Sequence, residues 1–303
     1  MRWDETQLAI RERGLLETLD LSLQVLRHYG KPLLAALAVG VVPLMLINYG
    51  LMLWMLRGVG EGRFPGRFLW HLSLLVILQA PLGSALATLF LGRAVFADQP
   101  RLGGVLPEFW RLLPRLLWCQ LLVRGVAVAW LLLATLERHG EFDFFLEGFV
   151  PLLLLLYAWL WRVFQPYVNE ILLLERTPLR AAGRGAVSLN RRSWDLHSAA
   201  TGVLVLRALA AAGVGFFLVL ASYGSLLFVS GVLWNDWSQG PGMLAVGLPA
   251  ALWLTALFLA VFRFLSYLDL RIRQEGWEVE LRIRTEAARL ETPSLPSGNG
   301  WPW

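Results

Sequence analysis

The feature that most constrains this chain is a series of apolar runs, each as long as a lipid bilayer is thick. A helix rises about 1.5 Å per residue, so about 20 apolar residues cross a hydrocarbon core of about 30 Å. Hydrophobic residues make up 57% of the 303 residues and charged residues only 16%, which excludes a soluble domain because such a domain needs a polar surface. The sequence therefore predicts an all-α, polytopic membrane protein. Its six predicted spans cover about residues 33–56, 68–91, 116–136, 149–169, 200–230 and 243–266.

Lysine and arginine are distributed unequally between the two sides of these spans. Nineteen lie in the N-terminal segment, the 92–115 and 170–199 connections and the C-terminal tail, whereas four lie in the connections on the other side. Cytoplasmic segments of membrane proteins carry this excess. We therefore expect both termini in the cytoplasm. The use of Arg in place of Lys is typical of a GC-rich bacterial genome, so we expect the bacterial inner membrane. The same rule explains the pI near 9.9 without a nucleic-acid partner.

The predicted cytoplasmic segments carry apolar residues at helical spacing. Over residues 5–29, leucines recur three, four and seven residues apart, which is typical of a helix lying at the membrane surface. Similar patterns occur over 101–116 and 178–196. Each pair of spans thus leads into an amphipathic segment, an order that is consistent with a threefold repeat of a helical hairpin. We expect residues 1–291 to form a single membrane domain and the Pro-, Gly- and Ser-rich residues 292–303 to form a disordered tail.

The sequence lacks the residue patterns of familiar catalytic and metal sites. Its four histidines are scattered, and it contains neither H-E-x-x-H nor G-x-S-x-G. Its one cysteine, Cys119, lies in an apolar run, where a thiol is inert, and it has no partner for a disulfide within the chain. We therefore expect no catalytic residue, no metal and no cofactor.

Polar residues inside the predicted spans are the best candidates for a functional site, because an ionisable side chain in hydrocarbon is costly. Arg124, Arg162 and Arg207 lie inside spans, and Asn169 and Glu170 lie at the end of the fourth. These five residues are predicted to form a polar cleft open to the cytoplasm, suited to an anionic headgroup or substrate, with Glu170 as an ion-pair partner. The alternative is that the arginine side chains extend to the membrane surface and that one Arg–Glu pair stabilises helix packing.

Prolines also interrupt several predicted spans, among them Pro43, Pro81, Pro166 and Pro249. Proline lacks an N–H group and leaves a helical carbonyl without its usual partner. Kinked helices with such carbonyls line the binding sites of some transporters, although they also occur in other membrane bundles.

The last predicted span ends in a charged motif, YLDLRIRQEGW. Together with RERGLLETLDLSLQVLRHYG near the start and NEILLLERTPLRAAGRG in the middle, this motif resembles uncharacterised bacterial polytopic proteins related to the membrane domain of glycerophosphodiester phosphodiesterases. The resemblance implies about six helices and no catalytic residues. It also implies a gene neighbour that encodes a membrane-bound transglutaminase-like protein, which is a candidate partner. The residues that carry the motif are Tyr267, Asp269, Arg271, Arg273, Glu275 and Gly276.

These patterns lead to one preferred function and two alternatives. The preferred function is a non-enzymatic inner-membrane scaffold or accessory subunit of an envelope-associated system, in contact with the lipid bilayer and anionic lipid headgroups. The first alternative is a small transporter or lipid-handling protein that uses the arginine-lined cleft. The second is a membrane enzyme of unrecognised type.

Overall fold

The computed structural model describes residues 14–57, 65–95, 101–136, 142–179, 188–198 and 201–275, and within these ranges it contains helices and no strand. The helices are α1 (Leu15–Met52), α2 (Gly66–Gly83), α3 (Ala85–Ala94), α4 (Leu102–Leu117), α5 (Val126–Thr135), α6 (Val150–Phe164), α7 (Val168–Leu174), α8 (Leu189–Ser198), α9 (Thr201–Trp234) and α10 (Leu248–Glu275). A 3₁₀ turn at Leu53–Leu56 extends α1, and π-helical turns lie at Trp118–Val123, Phe144–Phe149 and Met243–Gly247.

Five helical segments are long and apolar enough to cross a membrane. The segment from α4 to α5 is a sixth if its two parts, which are bent by 58°, form one span. The protein is thus a multi-pass helical membrane protein, which confirms the fold class predicted from the sequence. The five segments are Leu15–Leu56, Gly66–Ala94, Phe144–Phe164, Thr201–Trp234 and Met243–Gln274.

The first and third predicted spans differ from the helices observed. The predicted surface helix and first span are one helix, α1, which begins at Leu15 and bends at Tyr29 (φ −104°, ψ 19°). Pro32 lies three residues beyond the bend and cannot donate a backbone hydrogen bond, which accounts for the kink. The third span is broken at Gly125, whose φ of +79° favours glycine because it has no side chain to clash.

Two other predictions concern parts of the chain beyond this description. The predicted tail at 292–303 lies outside the described residues, as do the repeat positions beyond residue 275. The threefold hairpin repeat stays a prediction.

α2 and α3 form the centre of the bundle. In the most apolar stretch of α2 and α3, 89% of the residues are buried, whereas the corresponding share is 17% for the segment that contains α6 and for α9. The apolar side chains of α6 and α9 lie on the outside of the bundle, as those of lipid-facing helices do. α1 and α10 pack against this centre and against each other. Gly40 of α1 meets the carbonyl oxygen of Gly83, so closely that a β-carbon at Gly40 would overlap it. Small residues permit such close helix crossings in membranes.

Amide side chains bond to one another in the interior of the bundle. Asn48 and Gln79 exchange two hydrogen bonds of 2.9 Å, and the indole N–H of Trp130 donates to Asn48 Oδ1 over 3.0 Å. This network joins α1, α2 and α5 and satisfies the polar groups of two fully buried residues.

The two ends of the described chain lie on one side of the bundle. Val25 near the start of α1 and Phe264 in the last part of α10 line one pocket, whereas Tyr49 near the end of α1 donates to the carbonyl of Ala245, just before α10, over 2.6 Å. We call the end of the bundle that carries Leu15, α8 and Glu275 the terminal side. The opposite end, where α1 and α9 end and where α2 and α10 begin, is the loop side.

Candidate polar site inside the bundle

Four of the five residues predicted to line a polar cleft come together inside the bundle. They meet two further polar side chains, and we call the whole group the arginine cluster. Its members are Gln120 and Arg124 from the bend between α4 and α5, Arg162 from α6, Asn169 and Glu170 from α7, and Arg263 from α10.

The break between α4 and α5 places Arg124 in the cluster. The π-helical turn over Trp118–Val123 is followed by Arg124, and Gly125, with its positive φ, then bends the chain before α5 begins. Turns of this kind disrupt the regular helical hydrogen bonds and are frequent at functional sites. Arg124 is only 5% exposed, so its guanidinium is held inside the protein and does not extend to the membrane surface.

Glu170 forms an ion pair with Arg263, an arginine that the predicted cleft did not include. Arg263 Nε donates to Glu170 Oε1 over 2.5 Å, and Glu170 is completely buried. The three guanidiniums of Arg124, Arg162 and Arg263 interact electrostatically with one another. Glu170 is the one carboxylate that balances Arg124 and Arg263 among the described residues.

Arg162 and Asn169 bind the backbone at the proline kink of α2. Pro81 has no N–H, so the carbonyl of Ile77, four residues earlier, lacks its helical partner. Arg162 Nη2 donates to that carbonyl. Asn169 Nδ2 donates to the carbonyl of Pro81 over 2.8 Å, and Asn169 Oδ1 accepts from Gln120 Nε2. The freed carbonyl is thus used, and these contacts assign Arg162 and Asn169 a structural role at the kink.

Several buried polar atoms of the arginine cluster have no hydrogen-bond partner among the described residues. Arg124 Nε and Nη2 form one edge of the guanidinium, the edge with which arginine binds carboxylate or phosphate through two parallel bonds. Both are unpartnered. The other unpartnered atoms are Arg263 Nη2, Glu170 Oε2 and Gln120 Oε1.

Arg207, the fifth predicted residue, belongs to a separate ion pair. Its Nη2 donates to Asp269 Oδ2, and its Nη1 donates to the carbonyl of Ser266 over 3.2 Å. Asp269 also accepts from Arg273 Nε over 3.1 Å. Arg207 and Asp269 are 7% and 1% exposed. Among the described residues, Arg207 thus pairs with a buried carboxylate on α10 and not with Glu170. Its place in the same cleft stays a prediction.

The C-terminal motif forms internal contacts that hold α10 against its neighbours. The hydroxyl of Tyr267, which is 1% exposed, donates to Glu175 Oε1 over 2.7 Å. Glu175 also accepts two bonds from Arg192 of α8, at 2.7 and 3.1 Å, and Arg271 Nε lies 3.8 Å away. Arg271 of the motif thus lies beside a protein carboxylate.

The end of the motif is only partly covered by the described residues. Arg273 bonds to Asp269, also a motif residue. The side chain of Glu275 and the whole of Gly276 lie outside the described residues.

His197, in its neutral form, connects α8 to Tyr167, just before α7. It is 4% exposed, and burial lowers the pKa of its imidazole. Its Nδ1 lies 2.5 Å from the carbonyl of Ser193, and the backbone N–H of Tyr167 donates to its Nε2 over 3.3 Å. One nitrogen therefore donates and the other accepts, which is the pattern of neutral imidazole.

A third ion pair, which was not predicted from the sequence, lies on the loop side. Glu147 is 1% exposed and accepts from Arg67 through both carboxylate oxygens, while His71 Nε2 lies 3.4 Å from Glu147 Oε2. Trp70 donates to the carbonyl of Glu147 over 2.7 Å. The guanidinium of Arg67 also lies over the ring of Trp54, 4.7 Å from its centroid. These contacts join α2 to the π-helical turn Phe144–Phe149, which precedes α6.

Within the part of the chain that the structure describes, no group of three His, Cys, Asp or Glu side chains could hold a metal ion. Cys119 is buried and is not in a disulfide.

No family model matches this chain, and no curated protein or solved structure matches it. The resemblance to the membrane domain of glycerophosphodiester phosphodiesterases therefore stays a prediction that rests on the motif residues.

Proposed function

We propose that the protein is a non-enzymatic, lipid-handling protein of the bacterial inner membrane that binds the anionic headgroup of a lipid in the arginine cluster. The observation that carries this proposal is the state of Arg124. Arg124 is only 5% exposed, and the edge of its guanidinium formed by Nε and Nη2 has no hydrogen-bond partner among the described residues.

The charge of the cluster supports an anionic ligand. Among the described residues, the guanidiniums of Arg124, Arg162 and Arg263 interact with one another, and Glu170 supplies the one carboxylate of the cluster, which leaves two positive charges in excess. An unbalanced charge inside a protein costs several kcal/mol, on the order of the desolvation penalty of an ion. A phosphate oxygen pair on the free edge of Arg124 would supply both the missing charge and the missing acceptors.

The position of the cluster supports a lipid as the source of that anion. Arg263 lies within an apolar helical segment that is long enough to cross the membrane. Arg124 lies at the bend between α4 and α5, which together are long enough to cross if they form one span. Arg162 is partly exposed, and it lies on α6, whose apolar side chains point outward from the bundle. A lipid could therefore reach the cluster from the bilayer beside α6, without crossing an aqueous vestibule.

The proposal is tested by lipid titration of the purified protein, followed by native mass spectrometry. Wild-type protein should bind phosphatidylglycerol in preference to phosphatidylcholine with the same acyl chains. Arg124→Gln should raise the Kd for phosphatidylglycerol by about tenfold or more. A tenfold change in Kd corresponds to about 1.4 kcal/mol of binding free energy.

Arg191→Gln is the matched control for that titration. It removes the same charge from an exposed position of α8 and should bind like the wild type. If Arg124→Gln binds phosphatidylglycerol as tightly as Arg191→Gln does, the proposed function is wrong.

The scaffold role inferred from the sequence stays a prediction, as does the transglutaminase-like partner. Crosslinking in native membranes followed by identification of the crosslinked proteins would test both. The cytoplasmic location of both termini is likewise part of the proposal. It is supported by the sequence, which has nineteen basic residues in the predicted cytoplasmic segments against four in the connections on the other side.

A further inference from the structure

The arginine cluster contains buried acceptors as well as buried donors. Glu170 Oε2 and Gln120 Oε1 have no partner among the described residues, and both residues are 0% exposed. An ionised phosphodiester has oxygens for Arg124 but no hydrogen to donate to these two acceptors. Because buried acceptors are nearly always hydrogen-bonded, a ligand that completes the cluster must carry a donor beside its anionic group.

Electrostatics distinguishes between the donors that lipid headgroups offer. An ethanolamine ammonium could donate to Glu170, but it would enter a site that already has two excess positive charges. A choline group has no hydrogen to donate. A hydroxyl group donates without adding charge, and its lipid keeps the net negative charge of the phosphodiester.

We propose that the cluster selects a hydroxylated phosphodiester headgroup of the phosphoglycerol type. The phosphodiester binds the Nε and Nη2 edge of Arg124, with Arg263 Nη2 as a further donor. The headgroup hydroxyls donate to Glu170 Oε2 and Gln120 Oε1. This inference rests on the proposed function, since it names the class of lipid that the same site takes.

The test compares two lipids of the same charge, one with free headgroup hydroxyls and one without. Phosphatidylglycerol and phosphatidylmethanol with identical acyl chains are both monoanionic phosphodiesters, and phosphatidylmethanol lacks a free hydroxyl. Wild-type protein titrated with each in native mass spectrometry should bind phosphatidylglycerol about tenfold more tightly, as one additional hydrogen bond to a buried carboxylate predicts. Phosphatidylethanolamine should bind more weakly than either.

A variant of Glu170 then tests whether its free carboxylate oxygen causes the preference for phosphatidylglycerol over phosphatidylmethanol. Glu170→Gln keeps a carbonyl oxygen for Arg263 but turns the second oxygen into an amide donor. It should lose the preference for phosphatidylglycerol over phosphatidylmethanol, whereas Arg191→Gln should keep it. The comparison of the two lipids on the wild type needs no variant, so it decides the question even if Glu170→Gln does not fold.

The outcomes separate this inference from the proposed function. Equal binding of phosphatidylglycerol and phosphatidylmethanol by the wild type, with both lost in Arg124→Gln, overturns the inference and leaves the proposed function standing. Lipid binding that does not depend on Arg124 overturns both.

A third arm separates the membrane lipid from the free headgroup. Deacylated phosphatidylglycerol should not displace the lipid at equal concentration. Displacement at that concentration would overturn the assignment to a membrane lipid.

Discussion

Arg124 and Arg207 are both buried arginines, yet their surroundings differ. Arg207 bonds to a carboxylate and to a backbone carbonyl, whereas two nitrogens of Arg124 have no partner among the described residues. Removing one member of a buried pair leaves an uncompensated charge, and the cost is commonly about 3–5 kcal/mol. The pair of Arg207 and Asp269 is therefore a structural contact, whereas Arg124 is the candidate for ligand binding.

Asp269→Leu should be the most destabilising change at this pair. It leaves Arg207 with the carbonyl of Ser266 and no carboxylate, and we expect a loss of about 3–5 kcal/mol. Arg207→Met should cost less, because Asp269 keeps its bond to Arg273. The double variant should be more stable than the sum of the two single effects predicts. Thermal unfolding in detergent measures all three, and additive losses would contradict an ion pair.

Sequence reasoning located buried arginines better than it located their partners. A charge inside an apolar run is visible directly, and Arg263 could have been found in the same way, because it lies within the predicted 243–266 span. The partners could not be found, because ion pairs join residues far apart in the chain. Glu170 and Arg263 are 93 residues apart, and Arg207 and Asp269 are 62 apart. Only the packing of helices determines which of them meet.

At the scale of helices, the crossing of α1 and α2 depends on two glycines. A β-carbon at Gly40 would overlap the carbonyl oxygen of Gly83, and backbone cannot move aside as a flexible side chain can. Gly50, on the same helix, has nothing within 4 Å of its β-carbon position. Apolar periodicity predicts that α1 is a helix, but it does not show which of these glycines lies at a contact.

Gly40→Ala should therefore destabilise the protein, by about 1–3 kcal/mol as for other overpacked interior sites. Gly50→Ala is the control and should be neutral or stabilising, because alanine favours helix over glycine by up to about 1 kcal/mol. Unfolding midpoints of both variants in the same detergent measure the difference. Equal midpoints would show that the two helices do not touch at Gly40.

For the whole molecule, composition predicted the class of fold because the length of an apolar run and the thickness of a bilayer are directly comparable. It could not predict that α2 and α3 would be central while α6 and α9 lie outside, since all four are similarly apolar. The polar residues indicate this arrangement more clearly. Gln79 on α2 is fully buried in an amide network, whereas α9 carries one buried arginine near its start.

The orientation of the whole bundle is tested by cysteine labelling. Replacing buried Cys119 with serine gives a background without thiols, and Gln239→Cys and Asn190→Cys then place single exposed thiols on the loop side and the terminal side. Because basic residues favour the cytoplasm, a membrane-impermeant maleimide should label residue 239 in intact spheroplasts, and residue 190 only after lysis. The reverse labelling pattern would show that the protein has the opposite orientation, with the segments richest in basic residues outside the cytoplasm, and the predicted topology would be wrong.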